Sequence, residues 1–181
     1  DGKVEIKNVQ KCLSQLIVSE SMILMGYISS LYLFDNNIST PYRTHKFQCE
    51  ASEILEKYKD SEIKYSILKQ YIGRSYITTK PNKHESLGLS KYTQSTSPLR
   101  RYLDLIVQRQ IFNHLNNIDQ LTNDKINEII YLSKIKQKEN NNIFKINKLK
   151  YLNKFFTNES KCIFKIIFIK WINNQKNIAL V

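Results

Sequence analysis

The stretch from Tyr92 to Gln110, YTQSTSPLRRYLDLIVQRQ, constrains the fold of this chain more than any other. Leu99, Tyr102, Leu103, Ile106 and Val107 recur at spacings of three and four, an apolar stripe running toward Leu115, so this segment is a helix with one face on a core. Ser97 is a favourable N-cap, and Pro98 suits the first helical position, where its missing N–H is not needed; the spacing therefore predicts a helix beginning at Pro98. Such a helix points its free N–H groups and positive dipole end at Arg100 and Arg101, in the one turn where cations are disfavoured. An anion at that tip would resolve the conflict, and phosphate suits two guanidinium forks better than carboxylate does. Asp104, four residues beyond Arg100 and three beyond Arg101, is spaced to steady a guanidinium from the same face. Spacing alone leaves an ordinary surface Arg–Asp pair equally open, because such pairs are common and weak.

The rest of the chain says what kind of molecule carries this helix. With 181 residues, 41% of them hydrophobic, it can bury one sizeable core and part of a second. It starts at Asp1 and stops on the apolar run NIALV, and is read as a piece of a longer protein. The formal net charge of +12 points to an anionic partner, yet Ile, Lys and Asn crowd the chain as AT-rich codons would dictate. The five arginines, Arg43, Arg74, Arg100, Arg101 and Arg109, are more informative, since only Arg offers a rigid planar fork for phosphate. Cys12, Cys49 and Cys162 are odd in number and far apart, which fits a reducing compartment rather than a disulfide framework. His45, His84 and His114 lack paired ligand spacing and read as structural; no metal ligands are expected within the chain.

Along the chain, DGKVEIK alternates as a short strand, and Val9 to Phe34 carries helical periodicity. Leu16 to Phe34 approaches the length of a membrane span, but it contains Glu20 and several serines, so a buried amphipathic helix is expected and no membrane partner. Pro41 ends regular structure, Ala51 to Tyr58 and Ser61 to Ile72 read as helices, and ITTKPNKHESLGL as a loop. Asn123 to Phe156 is a long Lys- and Asn-rich helix, and CIFKIIFIKWI, the polar turn NNQKN and the last apolar run form a β-hairpin. The fold class expected is α+β, mainly helical.

The 92–110 stretch strongly resembles the signature of the ribonuclease II/R, or RNB-domain, exoribonucleases. VSESMILMGYISSLYL, PYRTH and HESLGLSKY are similar to further family segments in the same order. The resemblance implies that residues 1–158 are the C-terminal part of an RNB catalytic domain and residues 159–181 the beginning of an S1-like OB barrel. It implies 3′-to-5′ hydrolysis of single-stranded RNA to nucleoside monophosphates with Mg²⁺. Arg100 matches the catalytic arginine. Arg101, Glu20, Arg43 and Tyr92 fall at RNA-binding positions, with Asp104 and Ser97 orienting the arginines. The family's four-Asp Mg²⁺ cluster is absent, which is read as lying upstream, so the fragment alone is expected to be inactive. Gln94 and Gln108 stand where the family usually has His and resemble its cyanobacterial and plastid branch, which suggests an intracellular protein of a plastid or mitochondrion, or else of the cytoplasm. An inactive RNA-binding relative is the alternative; oligomeric state is not readable.

Overall fold

The computed structural model describes residues 12–47 and 73–158 continuously, together with Val4, Glu5, Glu53, Glu56, Lys57, Lys59, Ile67, Ile163, Phe168, residues 170–173, Gln175 and residues 178–180. Three helices make most of it: α1 (Leu13–Asp35), α2 (Tyr102–Leu115) and α3 (Asn123–Asn158). Two short antiparallel pairs join β1 (Tyr42–Thr44) to β2 (Tyr76–Thr78) and β3 (Lys170–Asn173) to β4 (Ile178–Leu180). A single 3₁₀ turn covers Glu85–Leu87.

Helix α2 packs with both flanks. Val107 meets Leu33 of α1 and Ile38, while its neighbour Ile106 meets Ile126 and Ile129 of α3. Leu33, Ile106, Val107 and Ile126 are at most 1% exposed, and each such side chain contributes about 1.5–3 kcal/mol by leaving water. Adjacent positions on a helix point about 100° apart, which is why one short helix serves two partners.

Helices α1 and α2 end by the same device, written as the same tripeptide. After α1, Asn37 takes a positive φ of 57°, and the Ile38 N–H returns to the Leu33 carbonyl at 2.8 Å. After α2, Asn117 has φ 54°, and the Ile118 N–H returns to Asn113 at 2.8 Å. Asn is the residue after Gly that best tolerates this left-handed stop, and Ile38 packing on Leu33 supplies the apolar contact that accompanies it.

Four expectations are corrected. Helix α2 begins at Tyr102 and not at Pro98: Arg101 is extended at the N-cap (φ −127°, ψ 106°), and the chain turns across residues 97–101, with the Ser97 carbonyl accepting from the N–H groups of Arg100 (3.3 Å) and Arg101 (3.0 Å). Helix α1 is not buried along its length. Leu16, Ile17, Val18, Leu24 and Met25 are exposed, and only Gly26, Ser29, Ser30 and Leu33 are buried, because its apolar residues ring the helix while contact is made by its small-residue face. Pro41 does not end regular structure but leads straight into β1, a position where its missing N–H is harmless. The first residues of ITTKPNKHESLGL are not loop, since Ile77 and Thr78 belong to β2, paired with Arg43 and Tyr42.

The long helix at Asn123 stands as expected, and a terminal hairpin is present over Lys170–Asn173 and Ile178–Leu180; of the earlier part of CIFKIIFIKWI only Ile163 and Phe168 are described, and neither lies in a strand. The helices expected over 51–72 and the strand over 1–7 fall almost wholly outside the described residues; Val4 and Glu5 carry no strand.

Candidate nucleic-acid interface

The arginines are positioned by three segments that meet at β1. Its far edge pairs with β2, and its near edge runs beside residues 92–93, where the Arg43 N–H donates to the Tyr92 carbonyl at 2.8 Å. That second segment lies directly on α1. A Cβ on Gly26 would come 2.3 Å from the Thr93 carbonyl oxygen and 2.5 Å from the Tyr92 ring, so only glycine permits the approach. Ser29 and Ser95 hydroxyls meet at 3.2 Å, and the Thr93 hydroxyl donates to the Pro41 carbonyl at 2.7 Å, both buried.

The loop then delivers the arginines to the start of α2. Asp104, 1% exposed, gathers three donors on one oxygen: the Ser97 N–H (2.9 Å), Arg101 Nε (2.9 Å) and an Arg101 terminal nitrogen (2.6 Å). Placed in the first turn of α2, this carboxylate also complements the helix dipole. The conflict posed by arginines at a helix start is therefore solved internally for Arg101. It is not solved for Arg100, which is exposed and whose guanidinium has no hydrogen-bond or ion-pair partner among the described residues. Asp104 steadies one guanidinium, that of Arg101 and not the pair, because a three-residue spacing from an extended N-cap brings only that side chain onto its oxygen. Ser97 acts through its backbone N–H and carbonyl, not as an N-cap.

Arg43 is held differently. Its two terminal nitrogens donate to Gln94 Oε1 and to the Ser75 hydroxyl, each at 2.8 Å, and burial pushes its pKa down from the ordinary value. Gln108 donates to the Ser95 carbonyl at 2.6 Å, fixing the loop that carries Gln94.

A cavity of about 810 Å³ lies before these groups, with Arg43, Gln94, Arg100 and Arg101 on one wall and Lys125 and Lys136 of α3 on the other. Both lysines pair along their own helix, with Glu128 at 2.7 Å and Glu139 at 3.0 Å, contacts that are weak in water. Three of the expected site arginines are thus brought together. Glu20 is not with them, being exposed on α1; Tyr92 lies beside Arg43 but beneath the cavity wall, 8% exposed, its ring edge-on to His84 at 5.4 Å. His84 in turn stacks on His45 at 5.5 Å, so these two histidines underlie the loop as packing groups.

Sequence reasoning missed Gly26, Ser75 and the anchoring roles of Gln94 and Gln108. The last two were marked only as departures, standing where the resembled family usually has His, and nothing local marks Ser75.

Among the described residues, no group of three or more His, Cys, Asp or Glu is placed to hold a metal ion. Asp104, the carboxylate nearest the arginines, is engaged by Arg101 and Ser97. These residues do not fit a Mg²⁺ site.

This arrangement, a helix start carrying arginines beside a short sheet and packed between two long helices, is that of a known domain. The RNB domain matches residues 1–117, and the chain belongs to the RNB-domain family. It is 34% identical over 125 residues to the mitochondrial exoribonuclease II of Saccharomyces cerevisiae, covering 62% of this chain and 13% of that protein. It is 29% identical over 141 residues to an uncharacterized ribonuclease of Synechocystis, covering 77% of this chain and 21% of that protein. The chain spans about a fifth or less of the length of these curated relatives. In fold it is similar to ribonuclease R of Mycoplasma genitalium in complex with ribose-methylated single-stranded RNA (TM-score 0.56, 21% identity, 82% of this chain and 28% of that one). It is also similar to an active-site mutant of the Dss1 exoribonuclease of Candida glabrata (TM-score 0.58, 24% identity, 66% and 17%).

Proposed function

We propose that the protein is a 3′-to-5′ exoribonuclease that hydrolyses single-stranded RNA to nucleoside monophosphates, and that this chain forms the arginine-bearing wall of its RNA site. In this reading residues 1–158 are the C-terminal part of the RNB catalytic domain, and the β3–β4 hairpin opens an S1-like OB barrel. The carboxylates that bind Mg²⁺ belong to other parts of the protein. Its relatives' names, mitochondrial in yeast and chloroplastic/mitochondrial in Arabidopsis thaliana, favour an organelle as its location.

The observation that carries the reading is the unequal treatment of three arginines on one cavity. Arg101 is neutralised by Asp104, Arg43 is held by neutral acceptors, and Arg100 is left unpaired. An unpaired guanidinium facing a cavity is suited to charge that builds on phosphoryl oxygens as a phosphodiester is cut, and an interaction that strengthens in the transition state raises turnover rather than mere binding. Arg43 and Arg101 then grip neighbouring phosphates. Glu20 and Tyr92 are assigned weaker parts, Glu20 toward the RNA 3′ end and Tyr92 beneath the loop.

Arg100→Ala in the intact protein tests this. Loss of one such stabilising group lowers turnover about a hundredfold or more. Affinity for single-stranded RNA, measured without divalent metal, should fall far less. Unchanged turnover removes the assigned role.

A further inference from the structure

We infer that Gln94 is a positioning residue: its neutral amide holds Arg43 in place while leaving the arginine's charge uncancelled for a phosphate of the RNA strand. This rests on the exoribonuclease reading only for the identity of the anion.

The backbone of Arg43 is fixed on both edges, by Ile77 of β2 on one side and the Tyr92 carbonyl on the other. Its guanidinium is then clamped by Gln94 Oε1 and Ser75 Oγ at 2.8 Å each, so the fork is immobilised with three of its five N–H donors still unspent. Neither clamp is charged. A half-buried cation held only by neutral dipoles is poorly compensated, since a buried charge is stable when an opposite charge completes it. The titratable groups around it do not offset its burial: Tyr92 and Asp104 favour its charge, but Tyr92 is a phenol whose pKa burial raises and Asp104 is already engaged by Arg101, while Arg101 opposes that charge and His84 is destabilised as a cation by it. An anion in the cavity that Arg43 and Gln94 both line would complete the set. Replacing the amide by a carboxylate of the same shape would satisfy Arg43 internally and remove its attraction for RNA.

That substitution is the test. Binding of a single-stranded RNA oligonucleotide to the intact protein is followed in EDTA over a range of KCl, for wild type, Gln94→Glu and Gln137→Glu. The second variant adds the same charge to the α3 wall of the cavity without touching Arg43. One lost phosphate contact reduces the slope of log K against log salt by about 0.7 for a single strand. Gln94→Glu should show that reduction with several-fold weaker binding and no fall in its thermal unfolding midpoint. Gln137→Glu should keep the wild-type slope. The inference is overturned by an unchanged slope in Gln94→Glu, by an equal change in both variants, by a lowered unfolding midpoint in Gln94→Glu, or by a protein that does not bind RNA. Because hydrolysis is absent, a protein that binds with the expected slopes and yet fails to degrade RNA overturns only the exoribonuclease reading. One that degrades RNA and shows no slope change overturns only the role of Gln94.

Discussion

Asp104→Asn separates two things a buried carboxylate can do beside arginines: hold one in place, or lower the positive charge of the site. The side chain is 1% exposed, and one of its oxygens accepts three hydrogen bonds, two of them from Arg101, whose own side chain is 28% exposed. Asparagine keeps an acceptor of the same shape and loses the charge. Hydrogen bonds to charged groups contribute about 1.5–3 kcal/mol against about 0.5–1.5 for neutral ones, so the Ser97 bond weakens by about 1 kcal/mol, while the two from Arg101 keep the guanidinium charge and lose only the ion-pair part. Their sharing of a single oxygen makes the losses less than additive, and water reaching Arg101 screens part of the remainder. A loss of about 2 kcal/mol is expected, against about 3–4 for Asp104→Ala, which removes the acceptor as well. Urea denaturation of the intact protein measures both. A cycle with Arg101→Ala then isolates the pair, and a coupling of about 1–2 kcal/mol is expected, since the two groups touch. Turnover supplies the second reading. Removing a negative charge should by itself draw RNA more strongly, whereas releasing Arg101 should misplace a phosphate contact. A fall in kcat/KM despite the added positive charge supports the holding role. Asp104→Asn with stability within about 0.5 kcal/mol of wild type, or with additive effects in the cycle, would refute the reasoning.

Two further perturbations reach the site from beneath. Gly26→Ala in a helix ordinarily gains about 0.5–1 kcal/mol, but here the new Cβ would lie 2.3 Å from a backbone oxygen, and overpacking of about 1–3 kcal/mol should outweigh the gain; a stabilised variant in urea denaturation would contradict the packing described. The His84 pKa is held below its ordinary value, by burial first and then by His45 and Arg43. Above pH about 6.5 both folded and unfolded states carry it neutral, and as pH falls the unfolded chain takes the proton first, so stability is lost from about pH 6.5 down through the lower folded pKa. His84→Gln should flatten the dependence of the urea midpoint between pH 7.5 and 5, and an unaltered profile would count against it.

What could be read from the sequence divides along physical lines. The three long helices and the terminal hairpin were legible, because apolar periodicity over many residues reports the face that meets a core. The starting point of α2 was not, because Ser97-Pro98 is a valid helix opening that a tertiary contact overrode: Asp104 captures Arg101 and the Ser97 N–H, and the chain turns before the helix begins. The exposed first turns of α1 illustrate the same limit, since apolar residues on every side of a helix do not say which side is used. The repeated Asn-Asn-Ile at residues 36–38 and 116–118 was legible in principle, each pair of asparagines supplying a cap and a left-handed stop. At the site, the grouping of Arg43 with Arg100 and Arg101 was implied only by the resemblance of PYRTH and the 92–110 stretch to the family's segments, and Ser75 enters only through strand register, which no local pattern encodes.

The cations lining the cavity differ in how they are held. Lys125 and Lys136 on the far wall each pair with a glutamate one turn along α3 through exposed contacts that are weak in water. Arg101 is paired with the buried Asp104. Arg43 and Arg100 are paired with no carboxylate among the described residues, one clamped by neutral acceptors and the other unpaired. A clamped cation binds a phosphate with little loss of side-chain freedom, which suits holding a strand, whereas an unpaired one can settle on oxygens whose charge grows only during bond cleavage. In the proposed reading, the division between grip and catalysis would follow from what each guanidinium already touches, and not from the number of positive charges on the wall.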